Sequence, residues 1–569
     1  MKNTSARHKL AWQPNTVLIA KNTTIWLSQL SERFGQSITR LDQIPNEVLA
    51  ELAGRGFTAL WLIGIWQRSP ASARIKQLYG RSETIASGYS ILEYHVACEL
   101  GGDEALHALE KTAEDHGIRL ACDLVPNHTG LDAPWLLDHP DWYIHSEINP
   151  KADFSFESPN LCNQPGFEIN LEEGYYHQSG AAEVFRFRQP GSQQANYIYH
   201  GNDGTSMPWN DTAQLNYLKA EVRQAMLDVI LNVAQQFSII RLDAAMTLVK
   251  QHYKRLWFPD KGEKKSIPTR SAHPMSDEEF DRQMPEEFWS EVVRALRVQA
   301  PDCLLIAEAF WLMEPYFIQE IGMHRVYNSA FMHQLRDEEN LAFKRYIRGI
   351  LSTDARMMER FVNFLTTPDE TPAIIQFGKA DKYLGACRLL ACLPGLPMFG
   401  HGQWEGFREQ YGMDIPRPML AEQSDPSLVQ THQRLIAPLL QQRHRFSSAE
   451  NFRLHDFTRA DSTIDDNVLA FSNYGQGHHS LLLFNNSAQR TQGTLQPAIE
   501  KTDTITRSVS PLTIDARNEG QKSIARWRLL PIPAGEGESF LMDAAQFRAK
   551  GLEFQLGGYE SRVFRLETE

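Results

Sequence analysis

The sequence predicts an α/β fold: a (β/α)8 TIM barrel with an inserted domain after the third strand and an all-β C-terminal domain. Three observations lead there. Over the first two thirds of the 569 residues, short apolar runs alternate with stretches of helical periodicity, the pattern of parallel strands joined by helical crossovers. Several of those runs are continuously apolar, as strands buried on both faces are. Acidic and other polar residues then collect where the runs end, and in a parallel barrel the C-terminal strand tips carry the catalytic groups.

The elements follow in order. Thr24–Leu27 is a short strand candidate. Asn46–Ala53 has helical spacing, with Gly54 and Gly56 as a stop signal. Phe57–Ile65 reads as a buried strand, Leu106–His116 as a helix and Ile118–Val125 as the next strand. The helix Leu218–Gln235 precedes the strand Phe237–Leu242, and a helix over Glu286–Val298 precedes the strand Cys303–Ala307. Phe361–Thr366, a helix near Tyr383–Ala391 and Leu396–Phe399 complete the series.

Two regions break this rhythm. Residues 127–209 are aromatic and rich in Pro, Gly and Asn, too long for a plain loop, and read as the inserted domain. From residue 449 onward helical patterns fade and short β-type runs such as Val468–Ser472 and Ser480–Phe484 take over. The predicted division is therefore barrel over 1–126 and 210–448, insertion over 127–209, and C-terminal β-sandwich over 449–569. Asp260–Arg282 is charged and Pro-containing and reads as an exposed excursion after the fourth strand.

Composition limits the partners. The net charge is −13, with no basic block, so a nucleic-acid partner is not expected and the acidity reads as a solubility feature. No apolar stretch is long enough to span a membrane, and none after Met1–His8 has the form of a leader. The six cysteines are scattered without metal-type spacing. Cys122 and Cys303 sit in apolar runs and read as buried reduced thiols. A reducing, cytoplasmic location is the expectation.

The strand tips supply the chemistry. The third barrel strand ends in Asp123-Leu-Val-Pro-Asn127-His128, the fourth in Arg241-Leu-Asp243-Ala-Ala245, the fifth in Glu308, and a later one in Thr367-Pro368-Asp369. Arg241 and Asp243, two apart, point to the same side of their strand. Three carboxylates, an arginine and a histidine on one face suit retaining glycoside cleavage, which needs a nucleophilic carboxylate and a carboxylic acid about 5–5.5 Å apart. An adjacent arginine would keep Asp243 ionised. The other carboxylates would raise Glu308 so that it can protonate the leaving oxygen. The mechanism requires no metal or organic cofactor. Asp123 also has a structural reading, as a brace for Arg241, and Glu370 is a rival carboxylate beside Asp369.

These four motifs, in this order, resemble the α-amylase family of glycoside hydrolases over roughly residues 20–410. Gly88-Tyr89, Asp211-Thr-Ala-Gln214 and Pro397-Met-Phe-Gly400 add lesser matches. The resemblance implies Asp243 as nucleophile, Glu308 as general acid/base and Asp369 as transition-state stabiliser, with Arg241 orienting the nucleophile. It further implies that Asp123 and His128 contact the sugar site or its supports, and that Tyr89 stacks on the reacting sugar. Packing is the alternative for Tyr89. Of the tryptophans, Trp311, just after Glu308, is the one assigned to substrate.

Three departures bear on activity. Pro368 stands where the family has His before the third carboxylate, and the Thr-Pro-Asp arrangement resembles the phosphate-using maltosyltransferase branch. Met246-Thr247 replaces the usual Lys-His after the nucleophile. Gln214 replaces a carboxylate near the family's structural calcium, which leaves calcium open even though Asn127 remains a possible ligand. The leading expectation is hydrolysis of α-glucosidic bonds in an α-glucan or α-glucoside. One alternative transfers the glycosyl unit to a sugar or phosphate; another is a sugar-binding protein on an inactive barrel.

Overall fold

The computed structural model describes residues 12–177, 182–205, 207–262, 267–310, 312–475, 477–500, 513–515 and 526–568. Eight parallel strands close into a barrel in chain order: β1 (Leu18–Asn22), β2 (Ala59–Ile63), β3 (Arg119–Leu124), β4 (Ile239–Leu242), β5 (Leu304–Ala307), β6 (Arg325–Tyr327), β7 (Phe361–Phe364) and β8 (Leu396–Phe399), with β8 pairing back to β1. All strand residues except Arg119 are buried, as expected when helices cover a sheet whose inner face fills its own interior.

The crossover helices bury one stripe each. Gly102–Asp115 buries Ala105, Leu106, Leu109 and Ala113; Phe288–Gln299 buries Phe288, Trp289, Val292, Val293 and Leu296. That three-to-four-residue spacing is what made both helices readable.

Two strands differ from expectation. The first is Leu18–Asn22, and Thr24–Leu27 belongs instead to the helix Thr23–Phe34, which starts where the Asn22 side chain accepts from Ile25 N–H. The reason is polar: the apolar run Val17–Ala20 is only four residues long and is cut off by Lys21 and Asn22, which still belong to the strand, with buried Lys21 held by Glu405 at 3.5 Å. The sixth strand has three residues and opens on buried Arg325, too short and too polar to stand out.

Between β3 and the helix Ala220–Gln236, strand His128–Gly130 pairs antiparallel with Thr212–Gln214. The intervening chain forms a four-stranded sheet ordered His145–Ser146, Asn196–Tyr199, Val184–Arg188, Glu168–Leu171. The excursion after β4 is less exposed than expected: Thr269 and Arg270 are buried, and Thr269 donates from N–H and hydroxyl to Glu183 of the insertion. That contact anchors a segment whose composition suggested a free loop.

The C-terminal region contains a six-stranded and a three-stranded antiparallel sheet around Phe457, Leu481, Phe554 and Phe564. It docks on the barrel helix Asp381–Cys392 through Phe484, which is wholly buried. A Cβ at Gly385 would collide with the Phe484 ring. Gly385→Ala therefore tests the sign of two effects. Helix propensity favours Ala by about 1 kcal/mol, whereas overpacking costs about 1–3 kcal/mol. The expected net result is a loss of stability in denaturant unfolding, and a gain would refute the tight dock.

Candidate active site

Strand register assembles the site. On β3 and β4, Asp123 lies directly beside Arg241. The hydrogen-bond ladder runs one step past the tips: Asp243 N–H donates to Leu124 O (2.9 Å), Glu308 N–H to Leu242 O (3.1 Å) and Ala245 N–H to Glu308 O (2.9 Å). Asp243 and Glu308 are thus fixed by sheet geometry rather than by loop conformation.

Arg241 occupies the centre and is 2% exposed. Its Nη1 donates to Asp243 Oδ1 at 2.5 Å and lies 3.2 Å from Asp123 Oδ1. Its Nη2 is 2.5 Å from Glu308 Oε1. The ring centroids of Trp61, Tyr89 and Tyr327 surround it at 5.4, 5.5 and 5.9 Å from the guanidinium carbon. Burial alone would lower the Arg241 pKa, but Glu308 foremost among its charged neighbours holds it well above the ordinary value. The guanidinium stays cationic.

Glu308 has a second partner. Ala244 N–H donates to its Oε2 at 2.7 Å, and Ala244 has φ = 42°, the left-handed region. A non-glycine residue there costs about 1–3 kcal/mol; the turn delivers an N–H to the carboxyl beside Asp243. Burial is the main cause pushing the Glu308 carboxyl up to about 8, aided by Asp243 and Asp369 and opposed by Arg241. Asp123, 1% exposed, is raised to about 7, again by burial first. The carboxyl of Asp369 is also raised, by withdrawal from bulk water first and then by Asp243 and Glu370, against the pull of Arg241.

Above this floor lies a cavity of about 390 Å³, lined among others by Tyr89, His128, Trp209, Asp243, Glu308 and Asp369. Three sequence candidates sit differently from a direct sugar contact. Asp123 and Arg241 lie beneath the lining, Asp123 bracing the arginine. Both ring nitrogens of His128 are engaged, Nε2 with Tyr89 O (3.2 Å) and Nδ1 with the Asn127 amide (3.4 Å), so it supports Tyr89. The Tyr89 hydroxyl reaches Asp123 (3.4 Å) and accepts from Arg241 (3.3 Å), which leaves its ring on the cavity wall. Glu370 turns to His333 at 3.7 Å, so Asp369 is the acid that faces inward. Trp311 lies outside the described residues.

Sequence reasoning missed several wall residues. Asp203, Asp211, Phe310 and Met413 also line the cavity. Met413 comes from the loop after β8, and its carbonyl accepts from Gly88 N–H (3.0 Å) and Arg68 (3.3 Å). Nothing local in sequence signals that approach. Trp209, 5.1 Å from the His128 ring, was one tryptophan among twelve.

At the tip of β3, Gln214 and Asn127 close on each other. The Gln214 amide nitrogen donates to Asn127 O (3.0 Å), Asn127 Oδ1 (3.0 Å) and Leu215 O (3.2 Å), and Asn127 Nδ2 returns a bond to Gln214 Oε1 (3.1 Å).

The sequence matches the α-amylase catalytic domain over residues 46–368. The chain belongs to the α-amylase family, whose enzymes act on α-glucans. A search of curated proteins returned no match. Among solved structures, an α-amylase from Geobacillus thermoleovorans complexed with acarbose aligns with TM-score 0.58 at 16% identity, covering 98% of this chain and 99% of that one. The α-glucosyl transfer enzyme XgtA aligns with TM-score 0.62 at 17% identity, covering 98% and 99%. A debranching enzyme of Nostoc punctiforme aligns with TM-score 0.58 at 14% identity, covering 97% and 98%. At such identities these likenesses establish the fold.

Removing the central cation has a defined consequence. In Arg241→Met, Asp123 and Glu308 lose the charge that offsets their burial, so their folded pKa values rise further above the unfolded ones. The destabilisation through these two carboxyls, about 3–5 kcal/mol once both are ionised in the wild type, grows as pH rises through about 7 and about 8 and is lost below, where both are already protonated with the arginine present. Denaturant unfolding of variant and wild type at pH 6 and pH 9 measures it; an equal loss at both would contradict the charge argument.

Proposed function

We propose that the protein cleaves α-glucosidic bonds with retention, through a covalent glycosyl-enzyme. One observation carries the reading: a single buried guanidinium bridges Asp243 and Glu308 at the floor of a cavity whose wall includes Asp369. Carboxyls gathered on one guanidinium fit the about 5–5.5 Å separation of a retaining pair better than the about 6.5–9.5 Å of an inverting one. Asp243, partly exposed and held by Arg241, attacks the anomeric carbon. Glu308, kept protonated by its burial, donates to the departing oxygen and then takes a proton from the acceptor. Asp369 favours the oxocarbenium-like transition state by its charge. The presence of all three carboxyls together with Arg241 argues against an inactive sugar-binding barrel.

The acceptor is water or a neutral sugar. Asp203, Asp211, Asp243, Glu308 and Asp369 all line the cavity, and no lysine or arginine does among the described residues. A phosphate dianion would meet a carboxylate-rich wall whose underlying cation, Arg241, is already shared by Asp123, Asp243 and Glu308, so phosphorolytic transfer is disfavoured. Sugar transfer stays a second reading, supported by Pro368 in place of the family's hydroxyl-binding histidine and by likeness to a glucosyl transfer enzyme.

A structural calcium does not fit the β3 tip. Calcium takes six to eight oxygen ligands, whereas the Gln214 amide already donates to the oxygens that would ligate it. A reducing, cytoplasmic location is supported by six free cysteines, Cys98 exposed among them. No helix among the described residues is long and apolar enough to cross a membrane.

Three outcomes are expected. Asp243→Asn abolishes turnover of an α-glucoside panel, and product analysis with and without sugar acceptor separates hydrolysis from transfer; full activity of the variant would end the proposal. The kcat/KM profile falls as pH rises through about 8, because Glu308 must be protonated to donate. In Glu308→Gln that limb disappears together with about 10²–10⁴-fold of the rate. Chelation with EDTA leaves Tm unchanged, and a fall restored by calcium would reinstate the metal.

A further inference from the structure

The opposite end of the barrel holds a second cavity, of about 770 Å³, lined among others by Gln13, Arg325, Arg360, Gly395, His444 and Ser448. Unlike the first, it carries arginines, Arg325, Arg356 and Arg360, in excess over its carboxylates. Arg325 opens β6 and is 8% exposed. Its Nη1 donates to His324 O (2.9 Å), its Nη2 to Gln13 O (3.4 Å), and its Nε is buried without a partner. Arg360, just before β7 and half-buried, reaches the same His324 carbonyl at 3.4 Å. Arg443, wholly buried, donates to Ala391 O (2.9 Å) and Gly395 O (2.5 Å). Among the described residues, none of the three forms an ion pair with a carboxylate.

Two carboxylates, Asp354 and Glu359, line the cavity beside three arginines, Arg325, Arg356 and Arg360, which leaves one cation in excess. Glu359 Oε1 accepts from Ser448 hydroxyl (3.2 Å) and Ala449 N–H (2.7 Å), and Asp354 holds Arg356 at 3.3 Å. Residues 1–11, which adjoin this edge in sequence, contain Lys2, Arg7 and Lys9 and no carboxylate. Burial first and then Arg360, against the pull of Glu359, lower Arg325 to about 10, and burial first, then Arg360 and Arg325, lower His324 to about 4. A buried guanidinium without a counter-charge is costly. Glu359 offsets part of this charge, and the one guanidinium in excess faces an open cavity, roomy enough for a small metabolite.

We propose that this cavity binds a phosphate group, free or as the monoester of a small metabolite, with Arg325 and Arg360 as its guanidinium partners. Arginine forks match phosphate oxygens in geometry as well as charge. The site lies at the N-terminal ends of β6 and β7, a barrel depth from Asp243 and Glu308, so it is separate from the acidic catalytic cavity.

Isothermal titration of the full chain at constant ionic strength tests this, with inorganic phosphate and glucose 6-phosphate as separate arms. Saturable binding of at least one is expected, and the arm that binds more tightly identifies the free ion or the ester. Arg360→Gln, at a half-buried position, should weaken binding about tenfold or more while Tm without ligand and α-glucoside turnover stay as in wild type. Arg325→Gln should abolish binding where it folds. Absence of saturable binding in both arms overturns the proposal. So does binding that survives Arg360→Gln unchanged, and so does binding lost in Asp243→Asn, which would place the anion in the catalytic cavity instead.

Discussion

Everything at the catalytic end depends on one buried cation. Arg241 is enclosed by three aromatic rings and touches Asp123, Asp243 and Glu308. Without it, three carboxyls at adjoining strand tips would repel in a medium that screens poorly. With it, they converge, and the convergence is enforced by the sheet: β3 and β4 put Asp123 beside Arg241, and the period of two puts Asp243 on the same side. The cation is thus both a structural keystone and the device that holds the reacting groups.

One guanidinium does not serve its acids equally. Glu308 and Asp123 are almost wholly withdrawn from water, and burial dominates both, whereas Asp243 keeps 14% of its side chain exposed to the cavity. Burial also ranks differently from the sequence expectation, in which neighbouring carboxylates were to raise Glu308. They contribute, but desolvation comes first. The left-handed turn at Ala244 adds a backbone donor to Glu308 without adding a charge. The difference in surroundings between two carboxyls on one arginine is what allows opposite tasks within a few ångströms.

Legibility followed locality. Helices with a clear apolar stripe and strands that are continuously apolar could be read to within a few residues, Leu396–Phe399 to the residue. β1 and β6 could not, because buried Lys21, held by the sequence-distant Glu405, cuts off the run of β1, and β6 is three residues long and opens on buried Arg325. The strand-tip motifs gave Asp243, Glu308 and Asp369 because a tip is a local feature. Met413 and Asp203 entered the cavity through loops, where the approach is fixed by long-range contacts such as Arg68 to Met413 O. The engagement of both His128 nitrogens is likewise a tertiary fact: no spacing in the sequence reveals that Tyr89 O lies within reach.

The two ends of the barrel carry opposite charge for a reason built into the topology. Strands run toward the catalytic face and the helices run back, so helix N-termini point to the acidic end and helix C-termini to the other. Each helix places about half a positive charge at its start and half a negative charge at its end. Carboxylates at the strand tips therefore sit in a field that favours them. Arginines at the far end meet carbonyls that need donors: Arg443 reaches Ala391 O in the last turn of Asp381–Cys392. Carbonyls satisfy the hydrogen-bonding capacity of these arginines but supply only partial charge. With Glu359 as the carboxylate that Arg325 and Arg360 share, the pair is well bonded and still one negative charge short.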